Sequence, residues 1–266
     1  MSTRVFALFL ILPALLLAPP VLAQKQSLDV VRKVVIDPGH GGDNKGALAY
    51  NGVYEKDIVL QIATKARKEI QSRTDSDVLL TREDDRSVGL KDRVTMANEA
   101  GADLLISIHC NSSFSLTPQG VETYVLSEQA LKEESGKLSR QVVQPRGLYA
   151  SAADSSAAAV VKEMLQYSAF RDAHTLASVL QGAVVRRTKA MDRGVKELPI
   201  VVLRGAEMPG IVVEVGFASH PLEAEQLTKD WYQERIAQAI ADAVIRYDQI
   251  AAQARSGVRT PVSKSN

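Results

Sequence analysis

Apolar positions along the chain follow two rhythms. Short runs rich in β-branched residues, "KVVID" (33–37), "DVLLT" (77–81), "DLLISI" (103–108), "VETYVL" (121–126), "IVVL" (200–203) and "IVVEV" (211–215), read as strands. Several are apolar almost throughout, as strands covered on both faces of a sheet tend to be. Between them the period lengthens. In "EKDIVLQIATKARKEIQS" (55–72), Ile58, Ile62, Ala66 and Ile70 recur every fourth position and form one stripe of a helix. "LKDRVTMANEA" (90–100) repeats this with Leu90, Val94 and Ala97 and stops at Gly101, a C-terminal cap. Residues 171–187 and 231–250 read as two further helices. The alternation predicts an α/β fold: a mostly parallel or mixed central sheet of about six strands, with helices on both faces.

Three regions break the rhythm. Residues 127–160 begin with the charged helical stretch "SEQALKEESGKLSRQ" and continue into "PRGLYASAADSSAAA", poor in large apolar residues. They read as a helical insertion that adds little to the core. The tail, 251–266, is polar and slightly basic and is expected to be disordered. Residues 1–23 start with Arg4, pass through an apolar stretch and end on "VLA", the form of a cleaved secretory signal peptide. The apolar stretch is short for a spanning helix and is interrupted by Pro13, Pro19 and Pro20. An uncleaved anchor is the alternative. The expected organisation is a signal peptide, one domain over 24–250 and a loose tail.

Composition sharpens this in two ways. Lys plus Arg number 32 against 31 Asp plus Glu, so no global basic field exists to attract nucleic acid. The one cysteine, Cys110, excludes an internal disulfide, so the core alone must hold an exported chain together. As the neighbour of His109 in a strand it points to the opposite face, and it reads as a small buried residue.

Candidate reactive groups gather where strands end, the edge at which ligand crevices form in sheets flanked by helices. His40 sits in the glycine turn after "VVID", His109 ends "DLLISIH", Glu214 lies inside "IVVEVGF", and Glu55 opens a helix. Their separations match no local metal motif. Two imidazoles and a carboxylate nevertheless suit zinc and leave a position open for water, which a further acid could activate. Spacing leaves other readings open: a histidine after a glycine turn can simply bond its own loop, and Glu55 is favoured by the helix dipole alone. Glu214 would be largely desolvated and must meet a partner. His174, on a helix, and His220, before Pro221, read as ordinary surface and turn residues.

The segments "VVIDPGHGG", "EKDIVLQIA", "LLTREDDRSVGLKDRVTMAN", "LLISIHCNSS", "GVETYVL" and "IVVEVGFASHPLEAEQL" occur in this order. Together they resemble the zinc-dependent N-acetylmuramoyl-L-alanine amidases of the Amidase_3 family over nearly all of residues 33–247. The resemblance implies one zinc ion on His40, Glu55 and His109, with Glu214 as catalytic acid/base. It implies hydrolysis of the amide between N-acetylmuramic acid and L-alanine of peptidoglycan, in wall remodelling or daughter-cell separation. Residues 1–23 point to an exported chain, periplasmic or alternatively secreted or wall-associated, and a monomer is expected. The resemblance further implies that 127–160 blocks the cleft until a periplasmic activator protein moves it, the alternative being a solvated surface helix. Glu133 or Glu134 is then expected to fill the open zinc position. One departure is His220, where the family usually has asparagine.

Overall fold

The computed structural model describes residues 25–134 and 152–257. Among them, one sheet contains six strands: β1 (Lys33–Pro38), β2 (Asp77–Leu80), β3 (Leu104–Asn111), β4 (Val121–Leu126), β5 (Asp192–Leu198) and β6 (Gly210–Phe217). Their order is β2-β1-β3-β6-β4-β5, and every neighbouring pair is parallel except β4 with β6. The helices are α1 (Glu55–Arg73), α2 (Leu90–Glu99), α3 (described over 128–134), α4 (Ala152–Thr188), α5 (Pro221–Leu227) and α6 (Asp230–Arg255). None among the described residues is long and apolar enough to cross a membrane.

The alternating positions of the strands build two unequal cores. Leu104, Ile106, Ile108 and Cys110 of β3, and Ile211, Val213 and Val215 of β6, join a large cluster with α1, α4 and α6. The intervening Val35, Leu105 and Val212 face a smaller one, with Val94 and Ala97 of α2 and Val202 and Leu203 of a 3-10 helix, Val201–Leu203. Cys110 thus lies opposite His109, as the strand period requires. The thinner face has room for polar side chains, and the same alternation places Asp37, Ser107, His109, Glu122 and Glu214 on it.

Five elements differ from expectation. "IVVL" is not a strand: Val202 and Leu203 are buried because its 3-10 turn packs onto the sheet. The strand at this place is β5, "DRGVKEL", a part-exposed edge with no apolar run to betray it. Helix α4 is one helix of 37 residues and reaches back into the expected insertion. Within that insertion, α3 does contribute to packing, since Ala130 and Leu131 are buried. Helix α6 runs on to Arg255. The first 24 residues, 135–151 and 258–266, and with them the signal peptide and the end of the tail, lie outside the described residues.

Candidate metal centre

The turn after β1 is clamped from beneath. His40 takes a left-handed backbone, φ 61°, which a non-glycine residue adopts only under constraint. Two buried guanidiniums supply it. Arg82 donates from Nε to the Pro38 carbonyl at 3.0 Å and from Nη2 to the Gly39 carbonyl at 2.7 Å. Arg93 donates to the carbonyls of Pro38 at 2.9 Å and His40 at 2.7 Å. Arg93 also pairs with the fully buried Asp37 at 2.6 Å, and Asp37 accepts hydroxyl bonds from Thr81 and Ser107. Three successive carbonyls are thereby fixed, and the His40 side chain is presented above the sheet. Gly39 lets this turn meet β3: a Cβ there would lie 2.2 Å from His109 Cε1.

Glu55 opens α1, where the helix dipole favours an acid. Its Oε1 lies 3.0 Å from both His40 Nε2 and His109 Nδ1. The backbone amide of Cys110 donates to the same oxygen at 2.9 Å, and Ala47 N–H holds Oε2 at 2.9 Å. His40 Nδ1 meets Asn44 Oδ1 at 2.8 Å, which orients the ring. One donor atom from each of His40, Glu55 and His109 falls within 4.8 Å of the others, a spacing that could hold a metal ion. Burial alone would raise the Glu55 carboxyl, but its bonds to His109 and His40 hold it well below the usual carboxylate range.

Glu214 stands on β6 as the register partner of His109. Its Oε2 is buried with no hydrogen-bond partner, and burial pushes its pKa up to about 7. On its other side, Glu214 is the register partner of Glu122 of β4. Burial would raise Glu122 as well, but Lys196, Tyr124 and Arg193 hold it at about 2. A cleft of about 570 Å³ opens over this face, lined among others by His40, His109, Tyr124, Leu198, Val201 and Glu214.

The structure therefore brings together His40, Glu55 and His109, with Glu214 one strand away. Glu133 and Glu134 pair with Arg204 at 3.1 and 3.2 Å, beside the 3-10 helix that lines the cleft. His174 lies 3.4 Å from Glu197. His220 caps α5, accepting from Glu223 N–H at 3.3 Å, a task a small amide could share. Sequence reasoning missed Arg82, Arg93 and Asp37 as supports of the turn. The nearest signal was the density of charge in "LLTREDDRSVGLKDR".

A profile of the Amidase_3 family, described as N-acetylmuramoyl-L-alanine amidase, matches residues 34–246. N-acetylmuramoyl-L-alanine amidase AmiA of Escherichia coli K12 is 31% identical over 220 residues, covering 81% of this chain and 76% of AmiA. A crystal structure of an N-acetylmuramoyl-L-alanine amidase from Clostridium difficile 630 superposes with a TM-score of 0.65 at 31% identity, over 82% of this chain and 97% of the other. The CwlD amidase of Clostridioides difficile, solved in complex with the GerS lipoprotein, gives a TM-score of 0.64 at 26% identity, over 82% and 99%.

Proposed function

The chain belongs to the Amidase_3 family of N-acetylmuramoyl-L-alanine amidases, and from that premise we propose that it is a zinc-dependent peptidoglycan hydrolase. It cleaves the amide between N-acetylmuramic acid and L-alanine of the stem peptide. The observation that carries this reading is the convergence of His40 Nε2, Glu55 Oε1 and His109 Nδ1 beside Glu214, whose Oε2 is buried without a hydrogen-bond partner.

The donor set fits zinc. Two imidazoles and one carboxylate are ordinary zinc ligands, and three protein ligands are the usual complement of a catalytic site. Two of the three ligands are also held from behind, His40 by Asn44 and Glu55 by Ala47 N–H, as metal ligands generally are. Zinc supplies Lewis-acid polarisation of the amide carbonyl and acidifies water. The chain's own part is proton handling and placement. Glu214, on the strand beside His109, takes a proton from the attacking water and returns it to the leaving amine of L-alanine. The cleft floor, with Tyr124, Leu198 and Val201, seats the substrate and limits water around the reacting amide.

Residues 1–23 support export to the periplasm, and the family supports a role in wall remodelling or cell separation. A protein partner is supported by the outward face of α4, where Val160, Val161, Met164, Leu165 and Tyr167 are exposed together. The segment 127–160, anchored through Glu133 and Glu134 on Arg204, restrains access to the cleft until such a partner binds.

Mass analysis of purified peptidoglycan digested by the protein tests the reaction. Stem peptides with a free L-alanine amino terminus are expected, and their release should stop on chelation and return with zinc. Products cut elsewhere, or release unaffected by chelation, would overturn the reading.

A further inference from the structure

A line of polar side chains runs from strand to strand across the sheet face on which the cleft opens, from His109 and Glu214 inside the cleft to Lys196 beside it. His109 of β3, Glu214 of β6 and Glu122 of β4 are successive register partners, and Lys196 of β5 is the partner of Tyr124 two residues on. Glu122 is 3% exposed and accepts from four groups: Asn111 Nδ2 at 2.5 Å, the Tyr124 hydroxyl, Arg193 Nε at 2.8 Å and Lys196 Nζ. Glu122 thus faces two cations, and Glu214 is the next acid along the row. Both cations keep a solvent-facing surface, 31% of the Arg193 side chain and 41% of that of Lys196. Among the described residues, Arg193 donates only through Nε, so its terminal nitrogens present a fork suited to a second carboxylate.

We infer that Arg193 and Lys196 form a carboxylate subsite for the peptide that leaves on cleavage. The inference rests on the amidase reading and extends the same site. Neighbouring strands lie about 4.8 Å apart, so the cations stand roughly 5–10 Å beyond Glu214 along the row. A peptide residue spans at most ~3.6 Å, which places the recognised carboxylate on the second or third residue after the cleaved amide. The substrate class is therefore an acidic stem peptide lying across β6, β4 and β5, with the muramyl group on the side of His40. Leu198, two residues beyond Lys196 on β5, and Tyr124, the register partner of Lys196, line the cleft and connect it to the two cations.

The test compares two synthetic muramyl tripeptides with the zinc-loaded full chain. They differ only in carrying free carboxylates or carboxamides at the second and third residues. The unmodified protein should favour the acidic substrate about tenfold or more in kcat/KM, mostly through KM. Lys196→Gln and Arg193→Gln should each move that ratio towards one, and Lys196→Arg should restore it. Equal rates on the two substrates, or variants that slow both alike, would overturn the subsite while leaving the amidase reading intact. Cleavage of neither substrate would overturn the amidase reading, and the subsite with it. The preference of the unmodified protein is decisive even where a variant folds poorly.

Discussion

Burial in β6 pushes the Glu214 carboxyl up to about 7 from an ordinary 4.5, because its charged form loses water and Oε2 gains no hydrogen bond in return. The nearby acids Glu55 and Glu122 add to the rise, which His109 partly opposes. The sign for stability follows. Between about pH 4.5 and 7 the folded, metal-free protein keeps a proton that the unfolded chain gives up, so stability falls as pH rises through this window. By pH 8 the loss amounts to about 3 kcal/mol. Glu214→Gln removes the charge at nearly constant shape. In metal-free protein it should raise stability at pH 8 by up to about 3 kcal/mol, with the gain fading as pH falls towards 4.5. Denaturant titrations at the two pH values measure this, and a destabilised variant at pH 8 would refute it. The same variant should retain zinc and lose cleavage, since an amide cannot take the proton from water. Appreciable turnover would remove Glu214 from the mechanism.

At the scale of elements, the centre depends on a turn, a helix start and a strand meeting within a few ångströms, and Gly39 sits where two of them touch. A methyl group there would overlap the His109 ring at 2.2 Å, although the backbone of Gly39 needs no left-handed conformation. Gly39→Ala should therefore disturb the centre more than the fold. We expect zinc affinity to fall about 10- to 100-fold, the range typical of misplaced ligand geometry, with a far smaller change in thermal midpoint. Competition with a chelating dye reads the affinity, and an unchanged value would show that His109 moves aside freely. This turn also marks how far the sequence could be read. The strands with unbroken apolar runs, β1, β3 and β6, were evident because both faces are covered. Edge strand β5 was not, because "DRGVKEL" spends its side chains on solvent and on Glu122, while the apolar "IVVL" packs as a 3-10 turn. His40, Glu55, His109 and Glu214 stood out through their motifs, not through their spacing. Arg82 and Arg93 stayed hidden because their partners are mostly backbone carbonyls, which carry no side-chain signature.

On the scale of the whole molecule, the sheet is covered unequally, and this decides what can be removed without unfolding it. Among the described residues, the large core, with α1, α4 and α6, takes from α4 Ala173 and later residues, such as Leu176, Leu180 and Val184. The cleft opens on the other face, under α2 and the 3-10 helix. Residues 128–134 touch that thinner side: Leu131 and Glu134 line a small space with Leu126, Phe170, Leu203 and Met208, and both glutamates hold Arg204. Excising 128–160 behind a flexible linker therefore spares the main core and removes a few contacts at the edge of the lesser one. A loss of thermal stability of a few degrees is expected, with the circular dichroism of an α/β fold retained. If this segment restrains the cleft, the excised protein should digest peptidoglycan several-fold faster than the full chain when no partner is present. Glu133→Gln combined with Glu134→Gln should move the rate in the same direction by freeing the segment from Arg204, with the chain otherwise complete. A folded excision variant of unchanged or lower activity would count against restraint and leave 127–160 as a surface for the partner alone.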